Sequence, residues 1–246
     1  MKVIGIIPVR YKSTRFPGKA MVDIKGKSMV QRVLEQAKKA KGLDKVLVAT
    51  DETIIFDHIK EIGGNVCMTS SHHPSGTDRC KEAVEIQESE YDFVVNIQGD
   101  EPFIDPHQID QLIDGLTPEV EIATQAKLIE QSNQIFDPNC VKVIMDPHAN
   151  ALYFSRMAIP HVRNHPQHLW TSHFKYHQHI GIYAYRWDIL QQITQLPVSP
   201  LEQAEGLEQL RWLENSYKIK VLVTNFQAHG IDTPEDLEKV LGNKGI

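Results

Sequence analysis

The chain opens on Val3-Ile4-Gly5-Ile6-Ile7-Pro8-Val9 and runs directly into Arg10-Tyr11-Lys12-Ser13-Thr14-Arg15-Phe16-Pro17-Gly18-Lys19. An apolar run of this length followed by polar residues predicts a strand buried on both faces. The cations then leave from its carboxyl end, which is where open α/β sheets place their ligands. Arg10 and Arg15 offer planar forks for phosphate oxygens, Lys19 offers a mobile point charge, and Pro17-Gly18 bends the backbone. The loop suits polyphosphate, although a solvated surface turn would share its composition.

Strand and helix signals alternate downstream. Met29, Val30, Val33, Leu34 and Ala37 recur at helical spacing behind Ser28, with Gln31 three residues on as in a capping box. Lys45 to Thr50 reads as the second strand, Ile54 to Ile62 as a helix, Val66 to Thr69 as a short strand, and Cys80, Ala83 and Val84 as another helical face. Phe93 to Ile97 is an inner strand. Asp105-Pro106 then starts a helix, because proline is pre-organised for the first helical position. This βαβ series predicts an α/β fold with a mixed, mostly parallel sheet flanked by helices. After Leu116 the strands Ile122 to Leu128, Val141 to Met145, Leu152 to Ser155 and Ile180 to Tyr185 follow with fewer helices between them. Helical spacing returns at Ile189 to Ile193 and Leu207 to Leu213, before a strand at Lys220 to Thr224 and a helix at Pro234 to Leu241. We read residues 1–246 as a single Rossmann-like domain with a strand-rich extension near 130–200. Tyr153, Phe154, Trp170 and Phe174 suit either a dimer interface in that extension or core packing.

At 246 residues and net charge −6 the chain is large enough for a full core and lacks the broad basic face of a nucleic-acid binder. No stretch approaches the ~20 apolar residues that span a bilayer, and the start lacks the pattern of a signal peptide. These features predict a cytoplasmic protein without membrane insertion. Cys67, Cys80 and Cys140 are odd in number and widely spaced, as expected of reduced thiols packed in a core. His161, His165, His168, His173 and His177 are irregularly spaced and are read as a flexible surface segment with no metal chemistry.

Two familiar nucleotide motifs are absent. Gly26-Lys27-Ser28 resembles the end of a P-loop, but Met21 stands where that motif needs glycine; Gly18-Lys19 fails similarly at Ser13 and Ala20. No G-x-G-x-x-G occurs. Instead Asn96-Ile97-Gln98-Gly99-Asp100-Glu101-Pro102 closes the Phe93 strand with carboxylates. Hard oxygen ligands there suit magnesium, which takes one or two carboxylates and accepts substrate phosphates. Parallel strands would bring this loop to the same edge as the cationic one. Read alone, it is equally a strand followed by a polar turn.

Taken in order, these blocks resemble the bacterial 3-deoxy-manno-octulosonate cytidylyltransferases, or CMP-Kdo synthetases. The resemblance runs through Arg10 to Lys19, Val48-Ala49-Thr50-Asp51, Ser75-Gly76-Thr77-Asp78-Arg79, Gln98-Gly99-Asp100-Glu101-Pro102, Tyr153-Phe154-Ser155-Arg156, His179-Ile180-Gly181-Ile182-Tyr183, Leu207-Glu208-Gln209-Leu210-Arg211 and Asp232-Thr233-Pro234-Glu235-Asp236-Leu237. It implies a nucleotidyltransferase domain that joins the anomeric hydroxyl of 3-deoxy-D-manno-octulosonate (Kdo) to the α-phosphate of CTP, releasing pyrophosphate for lipopolysaccharide biosynthesis. By resemblance, Arg10, Arg15 and Lys19 hold the triphosphate, and Asp100 and Asp232 bind Mg2+. Pro8, Val9, Ser75, Gly76, Arg79 and Gln98 complete the CTP site. Arg156, His179, Tyr183, Glu208 and Gln209 take the sugar, with Arg156 favoured for its carboxylate. A homodimer is usual for the family.

Asp232-Thr233-Pro234-Glu235-Asp236 is also a strong helix start, with Thr233 as cap and Asp236 reaching back, and Ser75-Gly76 is also a turn into a helix. Val9 and Phe16 replace the family's common alanine and leucine, and residues 161–175 match least. An 8-amino analogue of Kdo is an alternative substrate that these motifs leave open. Sialic acid is another, but its enzymes should depart from the Tyr153 and Leu207 blocks. A nucleotide-binding regulator without catalysis is the reading of a different class, opposed by retention of Lys19, Asp100 and Asp232.

Overall fold

In the computed structural model, which describes residues 1–11, 16–87, 89–226 and 230–242, β1 (Val3–Val9) is flanked by parallel strands on both sides. The chain continues through a short hairpin, β2 (Asp23–Ile24) and β3 (Lys27–Ser28), into α1 (Met29–Ala37), β4 (Lys45–Thr50), α2 (Thr53–Glu61), β5 (Val66–Met68), α3 (Gly76–Glu85), β6 (Phe93–Asn96) and α4 (Pro106–Asp114). β1 pairs with β4 from Ile4↔Lys45 to Val9↔Thr50 and with β6 from Val3↔Phe93 to Ile6↔Asn96, and β4 pairs with β5. The order β6-β1-β4-β5 is parallel throughout, so all four strands send their following loops from one edge. Ile4, Ile6, Ile7, Val48, Ala49, Val94 and Val95 have no exposed surface, and each of the isoleucine and valine side chains contributes about 1.5–3 kcal/mol by burial.

The predicted elements of this region form nearly where their spacing places them. Ser28 caps α1 by accepting from the Gln31 amide, and α4 begins at Pro106. The hairpin has no forecast in the apolar pattern. Its turn residues Lys25 and Gly26 have φ of 51° and 84°, the left-handed pair that a two-residue hairpin turn requires. Gly26 therefore serves a hairpin, and the P-loop likeness around it is coincidental.

Residues Gly115–Gln227 form a second compact unit, while the first comprises Met1–Asp114 and Ala228–Ile246. The second contains β7 (Ile122–Leu128), α5 (Ser132–Ile135), β8 (Lys142–Met145), β9 (Ala151–Ser155), α6 (Trp170–His173), β10 (His177–Arg186), α7 (Trp187–Ile193), α8 (Pro200–Glu205), α9 (Gln209–Glu214) and β11 (Ile219–Thr224). β7 pairs in parallel with β11 and antiparallel with β10; β10 also pairs with β8, and β8 with β9. Pairing across the chain is therefore mixed and mostly parallel. β10 is irregular: its register against β7 shifts between Ile180 and Tyr183. The last element, α10 (Pro234–Gly242), belongs to the first unit.

Two readings change here. The histidine-rich stretch lies at the surface as read, with His161, His165, His168 and His173 exposed, but it is anchored rather than loose: α6 seats Trp170 in a core cluster with Ile129, Ile135, Cys140 and Tyr176, His161 meets Trp170 edge-on, and His165 stacks on His173. The helical spacing of Leu207 to Leu213 covers only α9, because Gly206 ends α8 in the left-handed region at φ 62°. α8 carried its own signal in Ser199-Pro200-Leu201-Glu202, a reciprocal capping box with proline at the first turn. Phe154 and Trp170 are core residues, whereas Phe174 is exposed.

Candidate active site

The loops at the carboxyl edge of the first unit gather most of the nucleotide candidates. Pro8 and Val9 end β1, and Arg10 follows them on the surface. Arg15 lies outside the described residues. The Gly18 amide donates to the Tyr11 carbonyl at 2.9 Å, which closes the cationic loop and delivers Lys19 at the start of a 3₁₀ turn. Lys19 Nζ then donates to Asp100 Oδ2 at 2.7 Å and to Asp232 Oδ1 at 2.9 Å. Its side chain is 17 % exposed, so the charge is partly withdrawn from water. Burial alone would lower the lysine, but the two carboxylates outweigh it and hold Lys19 above its usual value.

Asp232 reaches this point through local structure and a core contact. The Ile231 amide donates to the Asp100 carbonyl at 2.9 Å, and Ile231 packs with Ile24 and Met29, flanked by Phe16, Phe103 and Leu237. Thr233 caps α10 by accepting from the Asp236 amide, while the Asp236 carboxylate accepts from the Asp232 and Thr233 amides. The helix start and the ligand position therefore coexist, since the cap is Thr233. Glu101, beside Asp100, is buried; desolvation and then the Asp100 charge push its carboxyl up to about 7.

Gly99 and Gly76 lie at close approaches to β1. A Cβ on Gly99 would stand 3.1 Å from the Pro8 carbonyl oxygen, and one on Gly76 would stand 3.3 Å from Pro8 Cγ. Gly76 opens α3 behind Ser75, whose Oγ accepts from the Thr77 and Asp78 amides and donates to Asp78 Oδ2 at 2.6 Å. One turn on, Arg79 is fully buried, donating to Thr69 Oγ1 at 2.5 Å and lying 3.3 Å from Asp51 Oδ1. Burial lowers its guanidinium and Asp51 opposes that shift. Asp51 and Thr69 follow β4 and β5, and no composition signal marked them as holders of Arg79. Gln98 is half-buried, and its carbonyl accepts from the Glu101 amide.

In the second unit, His179 and Tyr183 lie on β10 with ring centroids 5.4 Å apart. Glu208 and Gln209 begin α9; Glu208 Oε1 accepts from Arg211 Nη2 at 3.1 Å, and Gln209 is buried. Burial, then the Glu208 charge, holds the Tyr183 phenol well above its usual value, so it keeps its proton. Arg156 follows β9 and is partly committed: Nε donates to the Glu205 carbonyl, Nη1 to Pro138 and Nη2, at 3.5 Å, to Gly206. The buried Lys142 ammonium donates to the Arg156 carbonyl and fixes its backbone.

Among the described residues no group of three or more His, Cys, Asp or Glu side chains is gathered into a metal cage, and no helix is long and apolar enough to cross a membrane. Two carboxylates do converge on one cation, the Lys19 ammonium. That donor set fits magnesium, which completes its octahedron with water and phosphate oxygens.

A parallel sheet whose carboxyl-edge loops bring cations, close-packed glycines and paired carboxylates together defines a nucleotidyltransferase. The cytidylyltransferase family profile matches residues 4–219. The 3-deoxy-manno-octulosonate cytidylyltransferases of Cytophaga hutchinsonii and Parabacteroides distasonis are 50 % and 51 % identical to this chain; the alignments cover 98 % of it and 96 % and 97 % of theirs. A solved structure of CMP:2-keto-3-deoxy-manno-octonic acid synthetase complexed with CTP superposes with a TM-score of 0.91 at 40 % identity, covering 98 % of this chain and 97 % of that one. A cytidylyltransferase from Leptospira borgpetersenii, at 20 % identity and TM-score 0.63, shares the fold; 98 % of this chain and 85 % of that one are covered. The chain belongs to the 3-deoxy-manno-octulosonate cytidylyltransferase family.

Proposed function

We propose that this enzyme transfers the cytidylyl group of CTP to the anomeric hydroxyl of Kdo. The oxygen–phosphorus bond to the sugar forms as the bond between the α- and β-phosphates breaks; the hydroxyl proton passes to solvent and pyrophosphate leaves. In such a displacement the protein chiefly positions groups and neutralises charge. The observation that carries the reading is the meeting of Lys19, Asp100 and Asp232, three side chains far apart in sequence, beside the cationic loop.

Arg10, Arg15 and Lys19 are assigned to the triphosphate and to the charge that grows on the leaving pyrophosphate. Asp100 and Asp232 would hold magnesium, which when bound supplies Lewis-acid polarisation of the α-phosphate and a template for in-line attack. Pro8, Val9, Ser75, Gly76, Arg79 and Gln98 are assigned to the nucleoside. A pocket built to pair with the exocyclic amine of cytosine rejects uracil by leaving its own polar groups unpaired. His179, Tyr183, Glu208 and Gln209 are assigned to the sugar hydroxyls. Arg156 has five N–H donors, and those left after its carbonyl bonds are assigned to the sugar carboxylate. A cytoplasmic homodimer feeding lipopolysaccharide assembly completes the proposal.

Pyrophosphate release with CTP and magnesium tests it, offering Kdo, its 8-amino analogue and sialic acid separately, with UTP as nucleotide control. Release with Kdo and CTP is expected; preference for the analogue redirects the sugar assignment. Absence of release from folded, CTP-binding protein refutes the catalytic reading. Arg156→Ala should raise KM for the sugar while that for CTP stays put, and an unmoved sugar KM removes the carboxylate role.

A further inference from the structure

Thr124 lies on β7 opposite the irregularity in β10 and is wholly buried. Its Oγ1 stands 2.7 Å from the Ile182 carbonyl oxygen, 3.1 Å from that of Ile180 and 3.0 Å from His179 Nε2. A threonine hydroxyl has one proton and two lone pairs, and carbonyl oxygens only accept. If the proton pointed at His179, Oγ1 would face two carbonyl oxygens lone pair to lone pair in a buried site, where unmatched polar groups are costly. The proton therefore goes to the bulge, and His179 Nε2 carries the hydrogen that Thr124 accepts.

A neutral imidazole has one N–H, so a ring donating from Nε2 presents Nδ1 as a bare acceptor. His179 is neutral: burial pulls it down to about 3. Nearby, the Tyr183 hydroxyl is buried without a hydrogen-bond partner among the described residues, in a side chain only 7 % exposed. Such a hydroxyl keeps its proton available to a group from outside the described residues, a ligand oxygen or a water. β-bulges often re-aim side chains beside active sites, and here the bulge falls between His179 and Tyr183.

We infer that Thr124 is a positioning residue for the sugar. By committing its proton to the Ile180 and Ile182 carbonyls it locks His179 as the Nε2–H tautomer, so that His179 Nδ1 accepts from, and the Tyr183 hydroxyl donates to, hydroxyl groups of a polyol substrate. The sugar half rests on the assignment of His179 and Tyr183 in the proposed function; the tautomer half stands without it.

Two-bond 1H–15N correlation spectra of histidine-labelled protein, with the His179 signal assigned through His179→Gln, read the tautomer directly. At pH 7.5 the wild type should show a protonated Nε2 and an unprotonated Nδ1, and Thr124→Ser should keep that signature and a near wild-type KM for Kdo. Thr124→Val should change the signature and raise KM for Kdo about tenfold, as loss of one oriented hydrogen bond does, with KM for CTP unchanged. If Thr124→Val does not fold, Thr124→Cys, whose thiol is a weak donor, gives the same readouts. A protonated Nδ1 in the wild type overturns the inference, and so does a variant that retains both the signature and the Kdo KM. A changed tautomer with unmoved Kdo KM overturns the sugar half. If no sugar is turned over, the proposed function fails while the spectra still decide the role of Thr124.

Discussion

Lys19 neutralises two carboxylates that would repel each other without it, being bonded to residues 81 and 213 positions away. The three residue types were legible in their motifs; their meeting was not, because no local pattern encodes a contact over such separations. Replacing either carboxylate by its amide keeps shape and removes charge. Asp100→Asn or Asp232→Asn should lower magnesium-dependent kcat by about 10²–10³-fold with an unchanged circular dichroism spectrum, in line with losing one preorganised electrostatic contact; wild-type rates across a magnesium titration would remove that carboxylate from the site. His179 makes a separate prediction. Its usual value near 6.5 falls to about 3 in the folded chain, so between those pH values the unfolded chain binds a proton that the folded chain refuses. Stability from this residue is complete above pH 6.5 and is lost as pH falls toward 3, by on the order of a few kcal/mol. Urea denaturation at pH 7, 5.5 and 4.5 should show His179→Gln losing less stability than wild type; equal losses would mean that the ring charges freely in the fold.

At the scale of elements, α3 joins local chemistry to the site. Ser75 caps it, Gly76 allows its first turn against Pro8, and Arg79 one turn later is clamped by Asp51 and Thr69. Ser75→Ala should cost about 1 kcal/mol in chemical denaturation, the usual effect of deleting a cap, and should also raise KM for CTP because the same turn carries Arg79. A stability loss with unmoved KM would make the cap purely structural. The cap was readable from Ser75-Gly76-Thr77-Asp78, yet the burial of Arg79 was not: an arginine in a polar loop looks solvated until β4 and β5 are placed beside it. The bulge in β10 was equally invisible, since Gly181 interrupts an apolar run without disclosing which carbonyls it leaves for Thr124. α8 was overlooked although Ser199, Pro200 and Glu202 signal its start.

At the scale of the whole molecule, the three cysteines report on packing in both units. Cys67, Cys80 and Cys140 are buried thiols outside any disulfide, and burial pushes Cys67 up to about 11 and raises Cys140. A thiol reagent at pH 8 should find almost no reactive thiol in the native protein and 3 after denaturation, a count that matches the sequence. Rapid native labelling would mean that one unit opens readily. Their oddness and spacing had already favoured reduced thiols over a disulfide framework. Most of the order of strands and helices, though not the β2–β3 hairpin, α5, α6 or α8, was determined by sequence alone, as were the cationic loop after β1, the acidic loop after β6 and the family blocks, because burial and backbone hydrogen bonding impose periods and end signals that are local. Tertiary structure decided which distant groups share one charge, which arginine is buried, how many donors Arg156 has left and which nitrogen of His179 bears the proton. Those depend on strand register and on the approach of separate loops, where a slip of one residue turns every side chain to the opposite face.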